Sequence, residues 1–274
     1  MATTILPIDE VTEALIAQWG VIGELARALD DDAWSAPSVL PGWTNADIVA
    51  HIVGTESMLD GRDVEATRTV SALDHVRNPI GELNEKWVDH YRPKPRAEVV
   101  AALDEIIGVR TEALKAMSQN DFDAESMTPA GPDTYGRFMR IRIFDCWVHE
   151  IDLRDGTDRS AVAEPGPASF ALDEIGASLP FVVGKRADAP KGSTVLFDIT
   201  GVSPRTVRIA VGDRAGVVDE FDGGDDAADV RIRLDATNLA RYAGGRRDAD
   251  PSAVELHGDQ ALGQAILSRM NYVI

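Results

Sequence analysis

The chain of 274 residues contains one cysteine, Cys146. A lone thiol excludes an intrachain disulfide framework and a structural zinc centre built on several thiolates. Basic residues are few beside acidic ones, 27 against 46, and the formal charge is −19. A surface of that sign repels phosphate backbones and anionic head groups, so neither a nucleic acid nor a membrane is expected as partner. No run of about eighteen apolar residues is available to cross a bilayer. The opening stretch, MATTILPIDEVTEAL, lacks the basic region and apolar core of a secretory signal. These absences lead to the expectation of a soluble cytoplasmic protein. Histidine is also scarce, five in all, which makes the position of each one informative. Apolar residues are not scarce: at 44% they suffice for one large domain or two ordinary ones.

The first half has a helical period. Apolar residues recur at helical spacing from Glu10 to Leu29, after Asp9. An irregular link, DDDAWSAPSVLPGW, is punctuated by Pro41 and Gly42. Thr44 then reads as an N-cap, with Asp47 as an acidic capping-box variant, opening a helix to about Asp60. Pro79 starts a helix reaching Tyr91, and Pro93 and Pro95 separate it from another, Arg96 to about Met117. QNDFDAESMTPAGPDT is expected as a loop leading into a long helix from Tyr135 to about Asp155. The pattern predicts an up-and-down four-helix bundle with a long crossover region.

Beyond Gly156 the character changes. A helix from about Ala168 to Val183 precedes the β-like runs STVLFDIT, RTVRIAVG, AGVVDEF and DVRIRLDA. Helical ATNLARYAGG, strand-like AVELHG and a closing helix, ALGQAILSRMNYV, follow. The acidic patch DEFDGGDDAAD reads as a solvated turn between strands. The predicted fold is a helical bundle over residues 1–160 and a smaller α+β domain, helices against one face of a sheet, over residues 161–274.

Ionisable side chains inside an apolar helix carry the functional signal. In YGRFMRIRIFDCWVHEIDLRD, Asp145 and His149 are one turn apart. With Asp145 as origin, His149 lies about 40° away, Asp152 about 20° to the other side and Arg142 about 60° away. A helix apolar nearly all round is buried, and unpaired charges there are costly. On the Thr44 helix, His51 shares a face with Ile48, Thr55 and Met58, which is expected to point inward. Two neutral imidazoles and a carboxylate suit zinc or another first-row dication. Three protein ligands leave a position open for water or substrate, as in catalytic sites. The plainer alternative is a hydrogen-bonded core histidine and an ordinary i,i+4 ion pair. Asp152 is a rival ligand to Asp145 and is otherwise expected to orient an imidazole.

Other candidates carry weaker signals. Cys146 lies about 100° off the stripe and is expected to pack in the core. His75 and His90 end a helical segment, where solvent or a cap is expected, and His257 is assigned no role. Arg77, Asn78, Asn84 and Glu85 read as a helix start with surface charges, with pocket lining as the alternative. Glu56 is expected to point away from His51, to the surface. Arg137, Arg140 and Arg142 lie inside the apolar helix and read as ion-pair or site arginines. A metal-dependent hydrolase would further need a base, for which Asp152 or Glu85 could serve.

LPGWTNADIVAH, followed about ninety residues later by FDCWVHEIDLRDG, resembles the mycothiol-dependent maleylpyruvate isomerase family, whose members are DinB-like metal-binding four-helix bundles. RIRLDATNLARYAGGRRD, AVELHGDQ and LGQAILSRMN are similar to that family's sterol-carrier-like second domain, so the resemblance spans nearly the whole chain. It implies zinc or another divalent metal held by His51, Asp145 and His149, which match the family's helix-two histidine and its last-helix pattern of acid, three residues, histidine. Better-known members carry glutamate at the acid position, and the aspartate here is one methylene shorter. An arginine of the second domain helps bind the thiol in the family. Arg246 is the match, with Arg247 beside it, and Asn84 completes the expected thiol-binding set. Arg246 and Asp152 are the expected catalytic pair. The implied chemistry is mycothiol, activated as a thiolate, attacking a small electrophilic substrate as an isomerase or S-transferase, in a monomer or homodimer. The alternative is a non-catalytic small-ligand-binding protein whose metal site is structural or vestigial.

Overall fold

The computed structural model describes residues 3–157 and 165–272. Contacts divide the chain into two compact units, Met1–Val162 together with Ile274, and Ala163–Val273. The first comprises α1 (Ile8–Ala28), α2 (Asp31–Ser35), α3 (Asn45–Leu59), α4 (Pro79–Tyr91), α5 (Arg96–Ala116) and α6 (Gln119–Phe122). A hairpin of β1 (Glu125–Thr128) and β2 (Gly131–Thr134) then leads into α7 (Tyr135–Asp155). Helices α1 and α3 each contact both α5 and α7, which closes the four-helix bundle, and α4 packs against α3. Trp19, Ile52, Ile106 and Trp147, one from each bundle helix, are fully buried.

Local chemistry sets the helix starts. The Thr44 hydroxyl accepts from the Asp47 N–H and the Asp47 carboxylate accepts from the Thr44 N–H, the reciprocal box predicted for α3. Asn78 caps α4, whose first residue is Pro79. Where α3 meets α4, a Cβ on Gly54 would lie 2.3 Å from the Trp87 Cβ, so the close approach requires glycine.

Two segments expected to be irregular are structured. The first link contains α2, capped by Asp30 and holding buried Trp34, and a bridge between Pro37 and Thr44. QNDFDAESMTPAGPDT forms α6 and the β1–β2 hairpin, with Glu125 opposite Thr134 and Thr128 opposite Gly131. Strands of four residues have too little alternation to announce themselves. The hairpin ties down the N-terminal segment. Asp133 accepts from the Thr4 N–H, the Thr134 N–H and Arg137. Burial alone would raise the Asp133 carboxyl, but these donors, led by the Thr4 N–H, outweigh it and hold it at about 2. Such a carboxylate stabilises the fold above its ordinary value of 3.8 and loses that contribution as pH falls through about 2. Asp133→Asn is therefore expected to cost about 1–2 kcal/mol at neutral pH. In urea melts the gap from wild type should close between about pH 4 and pH 2; a gap independent of pH would refute the assignment.

The second unit begins with α8 (Pro165–Phe181), extended by a π-helical turn over Val182–Arg186. Its sheet has the order β5–β4–β3–β6–β7, with β3 (Thr194–Thr200), β4 (Arg205–Val211), β5 (Ala215–Val218), β6 (Val230–Asp235) and β7 (Glu255–Gly258). Only β3 and β6 pair in parallel, from Val195 opposite Val230 to Thr200 opposite Asp235. Helices α8, α9 (Ala236–Ala243) and α10 (Gln260–Ser268) pack against the strands. The α+β pattern is as predicted, although α8 starts earlier than expected and α10 stops short of the expected end. The acidic patch is a largely exposed turn between β5 and β6, as expected. Buried Phe221 and the pairing of Asp225 with Nε and Nη2 of Arg208, at 2.6 and 2.8 Å, anchor it. Among the described residues no helix is long and apolar enough to cross a membrane.

Candidate metal centre

His51 from α3 and Asp145 and His149 from α7 converge inside the first unit. One ligand-capable atom from each lies within 4.8 Å of the others. His51 Nε2 is 3.2 Å from Asp145 Oδ2, and His149 Nε2 is 3.6 Å from Asp145 Oδ1. The imidazoles are 5% and 9% exposed and the carboxylate 28%, so solvent reaches the cluster over Asp145.

The surroundings prepare these groups as ligands. His149 Nδ1 is 2.9 Å from buried Asp152 Oδ2. An ionised carboxylate only accepts, which assigns the proton to Nδ1 and turns the Nε2 lone pair to the cluster. By the same rule His51 Nε2 donates to the ionised Asp145 Oδ2 as the structure stands, and the Thr55 hydroxyl, which donates to the His51 carbonyl, lies 3.5 Å from His51 Nδ1. Burial lowers the His51 imidazole below its ordinary value, by more than neighbouring Asp145 raises it. Burial would raise the Asp145 carboxyl, but the Arg142 guanidinium and then the two imidazoles hold it well below the usual carboxylate range. Near neutral pH the cluster thus offers a neutral His51 ring and an ionised Asp145 carboxylate, and a cation bound there would take the place of the proton on His51 Nε2.

A buried ionic network backs the carboxylate. Arg142 donates Nη1 to Asp145 Oδ2 at 2.5 Å and Nε to Glu56 Oε1 at 2.9 Å. Glu56 also accepts from Arg110 Nε at 3.2 Å, and Arg110 Nη2 donates to the Tyr135 hydroxyl. Glu56 is fully buried, contrary to its expected surface position. It lies about 140° from His51 around α3, but α3 is packed by α4, α5 and α7 and that direction is interior too. Cys146 packs as expected: burial pushes its thiol up, so it stays protonated.

Sequence reasoning missed a second tier around Trp43. Its ring centroid is 5.5 Å from that of His51 and 6.4 Å from that of His149. Its indole N–H donates to Glu85 Oε2 at 2.8 Å. Glu85 is buried and also receives His75 Nε2 at 2.9 Å, Arg92 and, at 3.5 Å, Arg68. Glu85 is therefore no surface charge, His75 is neither a cap nor free in solvent, and a carboxylate so engaged is a poor base for a hydrolase. Gly42 makes room for His75, since its φ is +81° and a Cβ there would sit 2.4 Å from His75 Nδ1; in the sequence only the Pro41–Gly42 turn marks that place.

Residues 15–154 match the family model of the mycothiol maleylpyruvate isomerase N-terminal domain, and residues 169–265 match that of the C-terminal domain. The chain belongs to the mycothiol maleylpyruvate isomerase family. Two solved structures share the fold of this family member. A crystal structure of the mycothiol-dependent maleylpyruvate isomerase is 17% identical, with a TM-score of 0.61 over 93% of this chain and 95% of that one. A histidine-to-alanine mutant of that isomerase is 16% identical, with a TM-score of 0.60 over the same shares. No curated protein matches the chain in sequence.

The donor set of this family member fits a first-row dication: two imidazole nitrogens and one carboxylate oxygen, with the carboxylate side open. The remaining candidates are dispersed. Asn84 is half-buried on α4, and His90 lies against the rings of Trp87 and Tyr91. Arg137 pairs with Asp133, and Arg140 is buried. In the second unit, Arg246 Nη1 donates to the Gly244 carbonyl at 2.6 Å in the turn after α9, and Arg247 is exposed. His257 lies on β7 opposite Arg231 of β6.

Proposed function

We propose that this protein is a metal-dependent enzyme that uses mycothiol, as an activated thiolate, to isomerise or S-conjugate a small electrophilic substrate. The observation that carries the reading is the convergence of His51, Asp145 and His149 within 4.8 Å in a member of this family. These three are the proposed ligands, for zinc or another divalent ion. When bound, the dication supplies Lewis acidity that makes a thiolate available near neutral pH.

The chain's own residues do the rest. Burial keeps the His51 ring neutral, and Asp152 acts through His149, holding its tautomer and ring angle. Trp43 lies beside both imidazoles and limits water there, so substrate approaches over the more exposed Asp145. Arg246, with Arg247, is assigned to the thiol's polar groups on the family resemblance, and Asn84 as a pocket-lining polar residue. Departure of the thiol after bond rotation gives isomerisation, and retention gives an S-conjugate. The cytoplasm, where small thiols stay reduced, is the compartment this chemistry suits. In the non-catalytic alternative the Arg142–Asp145 ion pair serves as a structural link within the bundle.

The test follows both conversion of the electrophile to its isomer and formation of a thiol adduct, with mycothiol and a panel of conjugated electrophiles, using protein purified without chelator or nickel resin. Turnover is expected only with both thiol and metal, is lost with EDTA and returns with zinc. Turnover indifferent to thiol and metal would overturn the proposal, and stoichiometric metal without turnover would favour the binding-protein alternative.

A further inference from the structure

We propose that Arg142 is a positioning residue: braced from α3 by Glu56, it holds Oδ2 of Asp145 so that the carboxylate presents Oδ1 alone to the metal. The inference rests on the metal reading above. The guanidinium forks, with Nη1 on Asp145 Oδ2 at 2.5 Å and Nε on Glu56 Oε1 at 2.9 Å. Oδ1 takes part in no hydrogen bond among the described residues and lies 3.6 Å from His149 Nε2. Arg142 is 3% exposed and Glu56 fully buried. Rotating Asp145 to offer both oxygens would leave a buried guanidinium short of a partner, which the low-dielectric interior penalises. Glu56 and Asp145 balance Arg110 and Arg142 before any ion binds, so the Arg142–Asp145 pair belongs to a buried network that is neutral on its own.

The consequence is a ligand on α7 set in register by α3. Helix α3 contributes His51 on one face and, five residues on, the brace Glu56 on another. Only a planar fork with two divergent N–H directions can span Glu56 and Asp145 at once; a lysine ammonium has the charge without the fork.

The test is Arg142→Lys, read by Zn2+ affinity in competition with a chromophoric chelator and by the visible spectrum of the Co2+-loaded protein. Zn2+ affinity is expected to fall by about 10- to 100-fold, and the Co2+ bands to shift as the freed carboxylate binds through both oxygens. Arg110→Lys is the control, because Arg110 shares Glu56 but does not touch Asp145. It should lower Tm while leaving Zn2+ affinity and the Co2+ spectrum at wild-type values. If Arg142→Lys fails to fold, Glu56→Gln, which keeps shape and an acceptor oxygen, should shift both readouts in the same direction. Wild-type affinity and spectrum in these variants, or an equal loss in Arg110→Lys, would overturn the positioning role. A wild-type protein that binds neither Zn2+ nor Co2+ would instead overturn the metal reading on which it rests.

Discussion

His51→Ala is expected to yield folded protein that no longer retains a stoichiometric divalent ion. Fold survival follows from the local partners. Asp145 Oδ2 loses the imidazole but keeps Arg142, so no buried charge is stranded. The loss of metal follows from the donor count. Removing an outer partner of a ligand weakens binding by about 10- to 100-fold, and removing one of three protein ligands must exceed that. Thermal unfolding gives an independent reading. A ligand at 100 times its Kd stabilises the native state by about 2.7 kcal/mol, so the wild-type Tm should rise with Zn2+ and the variant's should not. EDTA-treated wild type should behave like the variant, with zinc restoring only the former. Retention of metal by His51→Ala at wild-type affinity would remove the three-ligand centre and the proposed activity with it.

Glu56→Ala should be the more damaging change to the fold. Glu56 is the carboxylate between Arg110 and Arg142, both 3% exposed. Without it, Arg110 keeps the Tyr135 hydroxyl and Arg142 keeps Asp145, so two cations share one anion inside the bundle. Breaking a buried ionic cluster by removing one partner costs about 3–5 kcal/mol, against a total stability of about 5–15 kcal/mol for a typical domain. Urea unfolding followed by circular dichroism would measure it. A cost below about 1 kcal/mol would mean that water or rearranged side chains satisfy the arginines and that the brace behind Asp145 is weak. Glu56→Gln, which retains an acceptor, should fall between this variant and wild type.

Much of the bundle was legible along the chain because its signals are local. The Thr44–Asp47 box, Pro79 at the start of α4 and the helical spacing of ionisable among apolar residues in α7 act within one or two turns, where sequence spacing translates directly into geometry. For the same reason Asp145, His149 and Asp152 could be put on one stripe and the Asp152–His149 hydrogen bond anticipated. His51 was reachable through the inward face of α3 and the family resemblance, though nothing local says which residue it meets 94 positions away.

Partners across helices followed a different rule. A helical wheel assumes one inward and one outward face, and α3 has no outward face, because α4, α5 and α7 surround it. Glu56, Trp43, Glu85 and His75 were therefore misjudged or overlooked, each being buried or half-buried against a segment remote in sequence. The four-residue strands of the β1–β2 hairpin, and Phe221 beneath an acidic patch, escaped for a related reason: their stabilisation comes from pairing and burial rather than from their own periodicity. Composition, caps and spacing were enough to name the helices and three candidate ligands. Which charges sit behind those ligands, and from which side solvent arrives, depended on how the helices pack, because the partner of a buried charge is chosen by whichever helix lies next to it.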